Sequence, residues 1–276
     1  MSSYITYWND KTMDGVGAQL QRILGIYALA KHLGINYYHS GIKMTAYQGV
    51  EQAMKNEFDH EQLKRWNDLI LLKNKEEIEF DETHTIENVN LVHLSVIKDN
   101  TSDKKKLYKI FLPFDVLNKY SNIYHTLKNE NILDYKRYSK LDKNKINICV
   151  HVRRGELYYY APERLLPNSY YLDIIHKIEK YLQKEYVVNI YSEEVKVNSN
   201  DHSRVFKSDS DSLKDFYDLK NVCMKINGDP IETVAEFIDS DILVISKSSF
   251  SYIGGLFNNK IVITPNFWNA FRRMVN

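Results

Sequence analysis

The chain has 276 residues, enough for one large domain or two of roughly 130 residues. With Lys+Arg at 37, Asp+Glu at 36 and a net charge of +1, it lacks the basic excess on which a general nucleic-acid binder depends. No uncharged apolar stretch approaches the roughly twenty residues of a membrane-spanning helix, and the opening Met1-Ser-Ser-Tyr4 has neither the basic start nor the apolar run of a secretory signal, so a soluble cytoplasmic protein is expected.

In chain order, residues 4–8 are β-prone and end in the turn-forming pair Asn9-Asp10. Over residues 18–33, Leu20, Ile23, Leu24, Tyr27, Ala30 and Leu33 recur at three- and four-residue intervals, which predicts a helix. Gly34 fits its stop, and residues 35–39 read as the next strand. This βαβ opening implies a parallel sheet. Residues 50–72 look helical, 74–87 are rich in carboxylates, 89–94 look like a strand, and Lys104, Lys105 and Lys106 read as a solvated loop. Residues 113–135 read as one or two helices, and the basic, polar segment 136–145 marks a domain boundary.

Beyond that boundary, strands are predicted at 146–152, 186–191, 222–226, 242–245 and 261–264, with helices at 169–183, 212–219, 230–238 and 248–257 between them. Strands alternating with helices describe a doubly wound domain, which binds ligands beyond the carboxyl ends of its strands. The predicted architecture is α/β, with two Rossmann-like domains (residues 1–140 and 141–276) whose parallel sheets face a cleft. Cys149 and Cys223 both lie in apolar runs and are expected as buried strand residues, not metal ligands or disulfide partners.

Three segments bring together residues able to do chemistry. His151-Val-Arg-Arg-Gly-Glu156 follows directly on an apolar strand, where an open α/β sheet presents its ligands. Arg153 and Arg154 place adjacent guanidinium forks there, a geometry suited to phosphate oxygens. An exposed turn making ordinary ion pairs fits the same spacing. Asp14-Gly-Val-Gly-Ala-Gln-Leu-Gln-Arg22 lies between the first strand and the first helix. Gly15 and Gly17 would let backbone N–H groups approach a polyanion at the helix N-terminus. The segment lacks the third glycine of a dinucleotide fingerprint and the Gly-Lys-Ser/Thr of a P-loop, and a tight turn with Asp14 near the cap explains it as well. Ser246-Lys-Ser-Ser-Phe-Ser-Tyr-Ile-Gly-Gly255 again follows an apolar strand. Its Ser248, Ser249 and Ser251 fall at a helix start, where hydroxyls and N–H groups meet an anion. Gly254 and Gly255 inside a helix cost about 1 kcal/mol each, which implies close packing against a neighbour.

Taken together, these segments resemble the GDP-fucose-dependent fucosyltransferases, and most closely the bacterial-type α-1,2-fucosyltransferases. The likeness rests on residues 151–156, on Ser248 to Ser251 with Gly254, on residues 260–265, on Tyr191-Ser-Glu-Glu194, and on Gly15-Val-Gly-Ala-Gln19. Glu156 stands where Asp is commoner, Ala18 where the family has Asn, and Thr233, beside Glu232, where a carboxylate usually recognises guanine. The resemblance implies a GT-B fold and an inverting transfer of L-fucose from GDP-fucose to a glycan hydroxyl. It places the donor in the C-terminal domain and the acceptor on the N-terminal side, and it implies no cofactor.

Residue by residue, it implies that Arg153 binds the GDP diphosphate and stabilises its charge as the sugar departs. His151, Arg154, Ser248, Ser249, Phe250, Gly15 and Gly17 would line the donor, with Glu232 substituting at guanine. Glu156 is the nearest candidate to take the acceptor proton, with Glu163 behind it; an ion pair orienting the arginines accounts equally for Glu156. Gln19, Arg22, Tyr158 and Glu163 are acceptor-side candidates. Tyr158 belongs to an aromatic cluster with Tyr159, Tyr160, Tyr170 and Tyr171 that suits a sugar face, although core packing also uses such rings. Phe267, Trp268 and Phe271 could form a closing helix or a simple terminal docking segment. Asp209-Ser-Asp211 and Asp239-Ser-Asp241 match the pattern with which other nucleotide-sugar transferases hold a divalent metal, but capping explains the first and no metal is expected. Two rival readings stay open: transfer from another GDP- or UDP-sugar, and a non-catalytic nucleotide- or anion-binding module.

Overall fold

A computed structural model of the chain describes residues 3–11, 14–43, 60–99, 101–119, 123, 127, 130–155, 157, 162–193 and 213–266. The chain divides into two units, the first running to Asp134 and the second beginning at Tyr135.

In the first unit, β1 (Ser3–Tyr7), β2 (Asn36–Tyr37), β3 (Glu82–Asn88) and β4 (Lys106–Leu112) form an all-parallel sheet in the order β2-β1-β4-β3. Helix α1 (Val16–Leu33) ends at Gly34, whose φ of 67° is the left-handed conformation that glycine adopts without a Cβ penalty. Its apolar repeat understates its burial, because Gln19, Gln21 and Arg22 are buried along with Leu20, Ile23, Leu24 and Ile26. α1 is therefore a core element and not a surface helix with one wet face.

The stretch from 74 to 112 departs from the sequence expectation. Residues 89–94, expected as a strand, instead lead into α3 (Leu91–Lys98), after α2 (His60–Leu69). The Asn90 side chain accepts from the His93 N–H at 2.9 Å, and the Asn90 N–H donates back to the His93 ring at 3.3 Å. That reciprocal cap starts a helix at a locally β-prone sequence. The strand lies earlier, in the carboxylate-rich segment, as β3. The expected lysine loop already contains the first residue of β4, whose Leu107, Tyr108 and Ile110 are buried and which pairs with both β1 and β3. Of the helix expected over 50–72, the part described is α2; residues 44–59 lie outside the described residues. Past β4, α4 (Phe114–Leu117) is short.

In the second unit, β5 (Ile146–His151), β6 (Tyr186–Ser192), β7 (Val222–Ile226), β8 (Ile242–Val244) and β9 (Ile261–Ile263) are all parallel, in the order β7-β6-β5-β8-β9. The connecting helices are α5 (Asn168–Glu179), α6 (Lys214–Tyr217), α7 (Pro230–Asp239) and α8 (Ser249–Phe257). Side chains alternate across the sheet with period two. Ile148, Val150 and Val152 pack with Tyr171 and Ile175 of α5, while Cys149 and His151 on the other face meet Glu236 and Phe237 of α7. α7 is also held by a buried carboxylate: Glu236 accepts from the Tyr191 hydroxyl at 2.7 Å and from Lys225 Nζ at 2.8 and 2.7 Å.

The two glycines of α8 do pack closely. A Cβ on Gly254 would sit 2.5 Å from Phe237 Cβ, and one on Gly255 would sit 3.2 Å from Val262 Cγ1. The polar segment read as the divide belongs to the second unit, where Lys140 pairs with Glu232 at 2.5 Å and Lys143 and Ser139 both bind Asp239. Cys149 is buried as expected, but Cys223, on the edge strand β7, is exposed; both are free thiols. No helix among the described residues is long and apolar enough to cross a membrane.

Candidate functional site

From β5 the sheet grows outward to β7, then the chain returns to β8 on the opposite side of β5. This reversal puts a topological switch point at the carboxyl ends of β5 and β8, the position where doubly wound sheets accommodate ligands. Residues 151–155 leave β5 there, and Ser246 to Ser249 leave β8. The Arg153 N–H donates to Ser246 Oγ at 2.9 Å, which ties the two chain exits together. Ser246 Oγ also bonds the His151 carbonyl and the Tyr171 hydroxyl, the latter at 2.7 Å. On the other side, the Val152 N–H donates to the Tyr191 carbonyl and Ser192 Oγ donates to the Val152 carbonyl, both at 2.8 Å. The main chain at Arg153 is therefore fixed from both neighbouring strands.

The two arginines have opposite fates. The chain stays extended past β5 and turns at Gly155, whose φ is 68°. Period-two alternation sends Arg154 to the same face as Val150 and Val152. There its Nη1 donates to the Arg153 carbonyl at 2.9 Å, its Nη2 to Asn168 Oδ1, and its guanidinium lies 5.9 Å from the Tyr171 ring centroid. Arg154 is buried. The expectation that Arg154 offers a fork to phosphate is corrected, because its guanidinium holds the turn against α5. Arg153 leaves from the opposite face, and its Nη1 pairs with Glu193 Oε2 at 2.6 Å just past β6.

His151 is buried between Phe237 and Phe250, with ring centroids at 5.5 and 5.9 Å. Burial, and then the Arg153 and Arg154 charges, pull its pKa down to about 3. A neutral imidazole this weakly basic can hydrogen-bond a ligand but not take a proton near pH 7. Ser248 caps α8, its side chain accepting from the Phe250 N–H at 3.3 Å. Ser249 is the first residue of that helix and is half-buried. A one-turn helix (Pro162–Arg164) borders the same loop: Lys247 Nζ donates to the Glu163 carbonyl at 3.2 Å, and Arg164 Nη2 donates to the Lys247 carbonyl at 3.0 Å. Glu163 is exposed. Sequence reasoning missed Arg164 and Lys247 and gave Glu193 no role, although Glu193 lies in the strand-end motif Tyr191-Ser-Glu-Glu194.

Glu232 lies in the first turn of α7 and is engaged by Lys140, while Thr233 Oγ1 donates to the Asp229 carbonyl at 2.8 Å. The α7 cap is Asp229, which accepts from the Ile231 and Glu232 N–H groups. In the first unit, Gly15 opens α1 without a side-chain cap, Gly17 is buried in its first turn, and a Cβ at Gly15 would meet nothing within 4 Å. Asp14 does not cap α1; it pairs with Arg22 at 2.5 Å, and its carbonyl accepts from Gln19 Nε2 at 2.7 Å. Arg22 is buried and stacks on Phe111 at 4.4 Å, while Gln19 Oε1 lies 3.5 Å from the Tyr7 hydroxyl. Both are built into the first core and are not displayed for an acceptor. Tyr171 is likewise core. Glu156, Tyr158, Tyr159, Tyr160, Glu194, Asp209, Asp211, Phe267, Trp268 and Phe271 lie outside the described residues.

Asp239 and Asp241 sit at the amino ends of the strands, across the sheet from the switch point. Asp241 accepts from the Asn147 N–H at 2.8 Å and pairs with Lys260 at 2.7 Å, and Asp239 is taken up by Lys143. This Asp-x-Asp match thus braces the sheet. Among the described residues no group of three or more His, Cys, Asp or Glu is placed to hold a metal ion.

No protein-family model and no curated protein matches the chain. Among solved structures, POFUT1 in complex with GDP is similar over 96% of this chain and 99% of its own, with a TM-score of 0.50 and 12% identity. POFUT1 in its apo form aligns at TM-score 0.49 and 10% identity, covering 96% of this chain and 98% of that one. POFUT1 in complex with GDP-fucose aligns at 0.48 and 11%, covering 97% and 98%. At such identities the likeness to the GDP complex is one of fold: two α/β units with parallel sheets, a GT-B-like architecture.

Proposed function

We propose that the chain is an inverting glycosyltransferase that moves L-fucose from GDP-fucose to a glycan hydroxyl, with the donor in the second unit and the acceptor on the first. The observation that carries this reading is the bond from the Arg153 main-chain N–H to Ser246 at the sheet's switch point, which ties the chain carrying the arginine to the segment that leads into the Ser248-capped start of α8. The similarity of fold to POFUT1 in complex with GDP supports it. The α-1,2 linkage is the subtype that the sequence motifs resemble.

Breaking the fucose–phosphate bond leaves negative charge on GDP and positive charge on the sugar ring. Arg153 and the N–H groups at the start of α8 stabilise the first of these as it forms, at a switch point whose main chain is already fixed. Neutral His151 holds the nucleotide by hydrogen bonding and moves no proton. The acceptor hydroxyl attacks the opposite face of the sugar and loses its proton to a carboxylate, Glu156 or the exposed Glu163. The scheme uses no metal: the charge on the departing GDP falls to Arg153 and the α8 N–H groups. The free thiols agree with a reducing compartment, and we place the enzyme in the cytoplasm. The pairing of Glu232 with Lys140 favours a second reading, transfer from a UDP-sugar, since it engages the carboxylate that would substitute at guanine. Incubation with GDP-fucose and a glycan mixture, read as released GDP and fucosylated product, tests the proposal. Binding of GDP without transfer or donor hydrolysis would leave only a nucleotide-binding module.

A further inference from the structure

We propose that Glu193 is a displaceable counter-ion to Arg153, a positioning residue that lowers affinity for a nucleoside diphosphate and weakens retention of the released product. This rests on the donor reading above. Arg153 and Glu193 each stand two residues beyond the register pair His151–Tyr191, so adjacent strands deliver them side by side at the carboxyl edge. Their side chains meet at 2.6 Å, the arginine 19% exposed and the glutamate 49%.

Anchoring of the Arg153 main chain does not involve the Glu193 side chain. It comes from the bond to Ser246 and from the bonds of Val152 to Tyr191 and Ser192. Loss of the glutamate therefore removes a competing charge without releasing the arginine. Arg154 offers no substitute, because it is turned inward against Asn168 and Tyr171. A diphosphate reaching Arg153 must share or replace the carboxylate, and two anions on one guanidinium repel each other. The half-exposed glutamate can swing into water at little cost. In the free enzyme it neutralises Arg153, and after transfer it competes with the diphosphate and hastens product release.

The test is calorimetric titration of the full chain with GDP and, separately, with guanosine, for wild type and Glu193→Gln, at low salt. The expected result is a Kd for GDP about five- to tenfold lower in the variant, from removal of one like charge near the phosphates, with guanosine binding unchanged. Glu193→Ala should move GDP the same way, and thermal melts establish that both variants fold. Equal or weaker GDP binding by the folded variants overturns the inference while leaving the donor reading in place. An equal gain for guanosine overturns it too, because the effect would then not lie at the phosphates. A wild-type chain that binds no GDP removes the donor reading and the inference together.

Discussion

Gly254→Ala sets two effects of opposite sign against each other at one atom. In an exposed helix the change would stabilise by about 1 kcal/mol, because alanine loses less backbone entropy than glycine. Here the new methyl would lie 2.5 Å from Phe237 Cβ and 3.2 Å from its Cγ and Cδ2. Phe237 Cβ is fixed to the α7 backbone, so a rotamer change cannot relieve the contact and α7 and α8 must separate. Overpacking of that kind costs about 1–3 kcal/mol, and the enforced shift also disturbs Phe237 against His151 and Phe250. The clash outweighs the propensity gain, for a net loss of up to about 2 kcal/mol. Urea unfolding should show a lower midpoint at unchanged slope. Gly255→Ala is the internal control, since its nearest contact is the Val262 Cγ1 methyl at 3.2 Å, which can turn aside; its midpoint should stay close to wild type. A Gly254→Ala protein as stable as wild type would refute the claim that this glycine is present for helix contact.

Other expectations follow from the same geometry. Arg153→Ala should reduce fucosyl transfer by about 3 kcal/mol in activation free energy, roughly 150-fold, with the circular dichroism spectrum unchanged; near-normal turnover would remove Arg153 from the mechanism. Glu236→Ala leaves Lys225 and the Tyr191 hydroxyl without their shared buried acceptor and should cost about 3 kcal/mol in urea unfolding, whereas a loss under 1 kcal/mol would mean the network is dispensable. The His151 pKa is about 3 in the folded chain against an ordinary 6.5, so the unfolded state binds the extra proton. Its contribution is complete above pH 6.5 and is lost as pH falls toward 3. His39, held near 4 by burial, acts in the same direction. Urea midpoints measured from pH 7.5 to 4.5 should therefore fall, and His151→Gln should flatten the decline without abolishing it. Transfer activity should survive excess EDTA; abolition by chelation and recovery with Mg²⁺ or Mn²⁺ would overturn the metal-free scheme.

The second unit was readable because its strands are nearly continuous apolar runs, as burial on both faces of a parallel sheet requires. Its helix stops and starts also use strong local signals, such as Pro230 at the head of α7 and Ser248 at α8. The first unit was read less well. Three lysines disguised the start of β4, since long cationic side chains can reach water from a strand whose Leu107, Tyr108 and Ile110 are buried. At α3 the β-prone Val89-Asn-Leu-Val misled, while the overlooked signals were Asn90 as a cap and the three-residue spacing of Leu94 and Ile97.

Sequence alone determined that an arginine pair and a serine-rich helix start would each follow an apolar strand, and that a glycine turn would lie between the first strand and the first helix. It could not say which strands are neighbours, and that decided the site. Only the sheet order brings β5 beside β8, so that Arg153 meets Ser246, and β6 beside β5, so that Glu193 meets Arg153. Arg153 and Arg154 are identical in type and adjacent in the chain. Tertiary packing separated them, because an extended backbone points successive side chains to opposite faces, and only one of those faces was already filled by α5.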